Sequence, residues 1–455
     1  MKEEVRLNRR DFIGKTTFWA AAASLAAGTT QNGHGQINDS TVPPPSRLGV
    51  GFLGVGIRGT ILLESSMEVA GIDPVVACDL YTGHLDRAKE IAGSKLEITK
   101  DYQQVLSRKD IDAVVIAAPD HWHKQMVKDA LDAGKHVYCE KPVTHCWQDG
   151  EDFIKWSKKS GLQTQVGSQF MSMPCAKKAT EIIKSGKLGQ ITMVDGKIHR
   201  NSSTGAWYYP IPPDASPQTV DWKRFIGDSK WYDFDLRRFF QWRLFWDYSG
   251  GLPTDLFVHL VTATHQLMGV TAPDQVVSFG DIYRWTEYRD VPDQMTALAK
   301  YPEGFTLKLT STANNGHPGP LLTIHGTEGT LEYNGSSMTH YFEPRREDFR
   351  YPTNSWPKAT VKKFQKIMDL NDDLQPLKNP PPAAEEPTVY GPGDGTEGST
   401  TAHMRNWYDA IRGEDKAVEP MEIGVNAVNV GHMVNESFRN NKIVRWNPRT
   451  RKVEM

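Results

Sequence analysis

The sequence predicts an α/β chain in two parts: a parallel, helix-covered sheet, then an α+β domain with a large, mainly antiparallel open sheet. Three observations carry this. From Arg47 to about Gly167, short apolar strands alternate with helical segments, the pattern of a parallel sheet with crossover helices. From Gln275 onward, strand candidates follow one another with turns between them, as in an antiparallel sheet. The length, 455 residues, favours two domains over one.

The formal charge of −2 argues against nucleic acid or an anionic membrane surface as a partner. Cys78, Cys139, Cys146 and Cys175 include no C-x-x-C pair, so neither a metal site nor a structural disulfide is expected.

Residues 1–30 read as an address. Asn8-Arg9-Arg10-Asp11-Phe12-Ile13 resembles the twin-arginine export motif, and an Ala-rich apolar run, Thr16–Ala27, follows it. That run is too short for a stable membrane anchor. The expected location is therefore the periplasm. Residues 31–46 read as a linker, 47–170 as the first domain and 171–455 as the second.

The first domain opens on an apolar strand, Leu48–Leu53, that runs into Gly54-Val55-Gly56-Ile57-Arg58-Gly59 and then a helical segment. Strand, G-x-G-x-x-G turn and helix in that order suit a dinucleotide pyrophosphate. Gly54 makes the turn, Gly56 admits the phosphates, Gly59 lets helix and strand pack, and the helix offers free N–H groups. The next strand, Asp73–Leu80, carries Asp79, placed to accept the ribose hydroxyls of NAD; a 2′-phosphate there would meet a carboxylate, so NADP is disfavoured.

Ala113–Ala118 reads as a central strand, and a loop, Pro119-Asp120-His121-Trp122-His123, follows it. His136–Cys139 is the next strand and delivers Glu140-Lys141-Pro142. Ligands bind at the carboxyl ends of such strands. The expected cofactor contacts are therefore Gly54, Gly56, Ile57, Arg58, Gly59, Asp79, Pro119, His121, His123, Glu140 and Lys141. A partly buried Lys141 can polarise a substrate hydroxyl. Gln169 follows the last strand of this domain and is expected to reach the cleft.

In the second domain, Ala206–Tyr248 carries Trp207, Trp222, Trp231, Trp242 and Trp246 with Arg237, Arg238 and Arg243. Such a segment suits packing or a subunit interface; it also suits a sugar site, with Trp242 and Arg243 among the contacts. Gly250-Gly251-Leu252-Pro253 announces a helix on which Asp255 and His259 stand at i and i+4, so that the carboxylate could orient the imidazole as a general base. Residues 340–400 are Pro-rich and read as irregular, and helices are expected over 401–412 and 422–440, near enough to pack back on the first domain.

These blocks together resemble the glucose–fructose oxidoreductase / inositol dehydrogenase family, exported branch. The resemblance rests on G-V-G-I-R-G at Gly54, A-P-D-H-W-H at Ala118 and G-K-H-V-Y-C-E-K-P at Gly134, and spans 47 to about 446. It implies that Lys141, Asp255 and His259 are catalytic, that the nicotinamide cofactor is tightly held, and that the protein is a homo-oligomer. Two positions depart from the family's pattern. Thr262 stands where a second Asp is common, and Asp255 stands where exported N-acetylgalactosaminidases have His. The reading is an NAD-dependent oxidoreductase acting on a CH–OH group of a sugar, sugar alcohol or glycoside. The alternatives are redox-neutral glycoside cleavage through a transient keto-sugar and a non-catalytic sugar-binding protein.

Overall fold

The computed structural model describes residues 47–343, 350–369, 387–391 and 397–454. The twin-arginine motif, the linker and the L-K-N-P-P-P stretch lie outside the described residues.

The first domain is a six-stranded parallel sheet of β1 (Leu48–Leu53), β2 (Ile72–Cys78), β3 (Glu97–Thr99), β4 (Ala113–Ile116), β5 (His136–Cys139) and β6 (Thr164–Val166), in the order β3-β2-β1-β4-β5-β6. Its helices are α1 (Ile57–Met67), α2 (Thr82–Ala92), α3 (Tyr102–Leu106), α4 (Asp120–Asp132) and α5 (Gly150–Ser160). Every residue of β4 is buried, as its unbroken apolar sequence requires of a strand covered on both faces. The strand order reverses direction between β1 and β4, and the loops there part to leave a crevice.

After α6 (Ala176–Lys184) comes a ten-stranded sheet built from β7 (Ile191–His199), β8 (Gln275–Asp281), β9 (Gln294–Lys300), β10 (Thr306–Thr312), β11 (Leu322–Gly326), β12 (Gly329–Tyr333), β13 (Met338–Phe342), β14 (Thr388–Tyr390), β15 (Val444–Asn447) and β16 (Lys452–Glu454). Its order is β14-β13-β12-β11-β7-β10-β9-β8-β15-β16, antiparallel throughout except where β7 and β10 run parallel. Buried and open positions alternate along the strands, so one face packs inward while Phe279, Leu298 and Val389 stand exposed on the other.

Between β7 and β8 lie α7 (Trp222–Ile226), α8 (Leu236–Phe240) and α9 (Val258–Met268). The stretch expected to be irregular contains α10 (Arg350–Thr353), α11 (Lys358–Asp369) and β14. Last come α12 (Ser399–Arg412) and α13 (Met421–Asn440). Met404, Trp407 and Tyr408 of α12 share a core with Val50, Phe52 and Tyr138 of the parallel sheet. Meanwhile α13 lies against the large sheet, where the Ser278 hydroxyl donates to the Val434 carbonyl at 2.8 Å. The last helices thus tie the two sheets together.

Candidate active site

The glycine turn is built as its sequence demands. Gly54 has φ +90°, and a Cβ there would lie 2.7 Å from the Ala117 carbonyl oxygen. A Cβ on Gly59 would lie 2.0 Å from the Gly54 oxygen. Strand and helix therefore close on each other, and the first turn of α1 opens on the crevice with unpaired N–H groups. At the end of β2, Asp79 accepts hydrogen bonds from the Val55 N–H (2.9 Å) and the Tyr81 N–H (3.0 Å) and faces His84 Nδ1 at 3.1 Å. Burial opposes its charge, but His84 and the two amides outweigh burial and hold the carboxyl below its ordinary range. It is ionised, as an acceptor for ribose hydroxyls should be, and the cradle fits a dinucleotide.

Arg58 reaches across the seam between the domains. Its Nε lies 2.6 Å from Glu140 Oε1, Nη1 donates to Thr400 Oγ1 at 3.2 Å and Nη2 to Gln169 Oε1 at 3.5 Å. Glu140 also accepts the Lys141 N–H at 3.1 Å. Arg58, Glu140 and Gln169 thus form one network at the floor of the crevice, beside Lys141.

The Lys141–Pro142 peptide is cis. Lys141 Nζ donates to Asp255 Oδ1 at 3.0 Å and to the Asp255 carbonyl at 2.9 Å. Arg243 Nε donates to the same Oδ1 at 3.2 Å. Burial opposes the charge of Asp255, but Lys141, then Arg243, hold its carboxyl well below the usual range. The expected service of Asp255 to His259 is absent. Pro253–Phe257 forms a single π-helical turn ahead of α9, so i and i+4 no longer stand in α-helical register, and Asp255 turns to the two cations. The Nδ1 of His259 is buried without a hydrogen-bond partner, and its ring packs on Phe170 with centroids 4.6 Å apart. Burial, then the Lys141 ammonium, keeps this imidazole neutral, far below its ordinary range. Thr262 bonds back to the Val258 carbonyl within its own helix.

Three expected cofactor contacts do not line the crevice: Gly59, which packs α1 on β1, and His121 and His123. The Pro119–His123 segment is not a loop, because α4 begins at Asp120. His121 turns inward and donates to the Phe225 carbonyl at 2.9 Å; His123 lies between the Pro142 and Ala118 carbonyls, 2.8 and 2.9 Å away. Both are wall supports, with pKa values lowered chiefly by burial. The residues of this block that do face the crevice are Pro119, Asp120 and Trp122. Only position could have pointed to Asp120 and Arg200: Asp120 stands four residues past β4 and Arg200 directly after β7.

The crevice is a cavity of about 550 Å³ running from Asp79 and Lys100 to Lys141, Asp255 and His259. Its roof comes from the Trp-rich insert. Trp242 and Arg243 line it, with the guanidinium 4.2 Å from the indole; Trp207 also lines it, Trp222 is buried in packing, and Trp231 is 61% exposed. The insert is bonded to the first domain along its length. The Asp221 N–H donates to the Leu80 carbonyl (2.8 Å), Thr82 N and Lys100 Nζ to the Thr219 carbonyl (3.0 Å each), and the Tyr81 hydroxyl to Asp214 (2.6 Å).

Residues 48–168 match the profile of an oxidoreductase family with an NAD-binding Rossmann fold, and residues 180–445 match that family's C-terminal α/β domain. The chain belongs to the glucose–fructose oxidoreductase / inositol dehydrogenase family. Among similar members is an inositol 2-dehydrogenase of Salmonella typhimurium, 30% identical over 175 residues, which are 38% of this chain and 50% of that protein. Another is a glycosyl hydrolase family 109 protein of Shewanella sp. (strain ANA-3), 32% identical over 168 residues, covering 30% and 36%. The chain thus spans about half or less of the length of the curated relatives it matches. Solved structures share the fold over 88% of this chain. A levoglucosan dehydrogenase complex with NADH and levoglucosan has a TM-score of 0.63 at 19% identity, with 99% of that chain covered. An aldose–aldose oxidoreductase from Caulobacter crescentus has 0.62 at 18%, also with 99% covered.

Proposed function

We propose that this family member is an NAD-dependent oxidoreductase that moves a hydride between the nicotinamide and a hydroxyl-bearing carbon of a sugar, sugar alcohol or glycoside. The observation that carries the reading is one cavity with an ionised Asp79 at one end and Lys141, Asp255 and His259 together at the other. Bound NAD would supply the hydride acceptor. Asp79 would take its ribose hydroxyls and the first turn of α1 its pyrophosphate. Lys141 donates to the substrate oxygen, Asp255 holds Lys141 in place, and the neutral imidazole of His259 accepts the hydroxyl proton. Trp242 and Arg243 supply an apolar face and donors for a pyranose.

The insert bonded over the Asp79 end supports slow coenzyme exchange. That feature also favours a second reading, redox-neutral glycoside cleavage, in which the hydride returns to the substrate within one turnover. Export by the twin-arginine route to the periplasm belongs to the same proposal, since that route carries folded, cofactor-loaded proteins. So does a dimer or tetramer formed through the open sheet face.

The test is to denature the purified protein, identify any released nucleotide, and screen sugars and glycosides for change in the bound nicotinamide's absorbance. NADH formed in proportion to substrate supports a dehydrogenase; sugar release without it supports the redox-neutral reading. Lys141→Ala and His259→Ala are each expected to lower turnover by roughly 10²–10⁴-fold. Near-native turnover in either would remove that residue from the mechanism.

A further inference from the structure

Of the carboxyls lining this cavity outside the scheme above, Asp101 and Glu140 are paired with Arg224 and Arg58, and Asp120 is left. Asp120, the first residue of α4, lines the cavity and is 3% exposed. Its hydrogen bond is a long one, 3.4 Å from the Gly250 N–H to Oδ2. The cations nearest to it in charge, Arg243 and Lys141, are both bonded to Asp255, and Asp120 forms no ion pair among the described residues. The groups that face it are Lys141 beyond β5, Arg243 of the insert and Asp255 of the π turn, with Cys139 behind; Arg200 and His259 line the same cavity. A buried carboxyl that no cation has claimed, open to the space where substrate sits, is a proton-exchanging group in want of a partner.

We propose that Asp120 is the residue on which the proton of the oxidised hydroxyl comes to rest. The inference rests on the oxidoreductase reading and completes its proton balance. The substrate O–H bond breaks and its electron pair closes the carbonyl; bound oxidised nicotinamide would take the hydride with its pair; the proton ends on the Asp120 carboxylate. His259 then serves as a transient acceptor. An imidazolium there would stand buried near Lys141, Arg58 and Arg200, each of which disfavours it. Burial first, then Asp255, pushes the Asp120 carboxyl up to about 8, near the pH at which a group can both take and return a proton.

The test compares pH profiles of kcat for the wild type, Asp120→Asn and Asp120→Glu, each loaded with NAD, on a substrate from the screen above. In the wild type, oxidation should rise as pH passes through about 8, and the reverse reduction should fall over the same interval. Asp120→Asn keeps an acceptor for the Gly250 N–H, so a merely structural role would survive it. It should instead lower kcat roughly 10²–10³-fold and erase that limb. Asp120→Glu should keep a limb at reduced kcat. If Asp120→Asn fails to fold or take up NAD, Asp120→Glu decides, and loss of its limb overturns the proposal. An unchanged limb in Asp120→Asn also overturns it, while leaving the oxidoreductase reading standing. If no substrate changes the bound nicotinamide in the wild type, that reading fails and this inference falls with it.

Discussion

At the scale of single residues, the site is a matter of which charges are satisfied before substrate arrives. Lys141, Arg243 and Asp255 form a closed group, as do Arg58, Glu140 and Gln169. Asp79 shows how much one carboxylate can do. It fixes the Val55 and Tyr81 amides, and so the shape of the turn, while keeping its charge. Hydrogen bonds to a charged group are worth about 1.5–3 kcal/mol. Asp79→Asn is therefore expected to weaken NAD binding by roughly ten- to a hundredfold and to narrow the preference over NADP, which loses a repelling charge. Titrating nucleotide-free protein with both coenzymes measures this; equal affinities for wild type and variant would show that Asp79 serves the turn alone.

At the scale of elements, the strand–turn–helix unit at Gly54 was legible because few residues other than glycine fit it. Gly54→Ala sets a side chain at φ +90° and against the Ala117 carbonyl. The backbone strain alone is on the order of 1–2 kcal/mol. The expected result is a thermal midpoint lower by several degrees and loss of NAD retention, read by melting the protein with and without nucleotide. The central strands were legible from their apolar runs. Three of the four three-residue strands among the described residues, β3, β14 and β16, were not, since so short a segment shows no period. Two misreadings share one cause. Placing His121 and His123 in the crevice assumed a loop where α4 had already begun, and pairing Asp255 with His259 assumed an α-helix where one turn is π. A helix start or a wider turn rotates every side chain near it, and here tertiary contacts set both: the β4 end for one, Lys141 and Arg243 for the other.

At the scale of the whole molecule, the two sheets, the insert and α12–α13 enclose several histidines that burial keeps neutral. His121 of α4 bonds the Phe225 carbonyl of the insert, His432 bonds Thr144 from α13, His403 bonds the Val166 carbonyl from α12, and His265 bonds Tyr301 in the second domain. Burial comes first among the causes that push His121, His265 and His432 down to about 3 and His403 to about 4. In the unfolded chain each titrates near 6.5. Between about 6.5 and the folded values the unfolded state therefore binds more protons than the native one, so stability is full above that window and is lost as pH falls through it. Each such histidine contributes about 1.4 kcal/mol of loss per pH unit, and the four together on the order of 5 kcal/mol per unit. Whole domains are stable by only about 5–15 kcal/mol. The protein is thus expected to unfold cooperatively between roughly pH 5 and 4 at 25 °C, read by circular dichroism against pH. His121, His403 and His432 sit where the domains meet, so the seam over the cavity should open with the rest, and bound nicotinamide should be released in the same transition. Release at a distinctly higher pH than the loss of helix would show that the seam opens on its own.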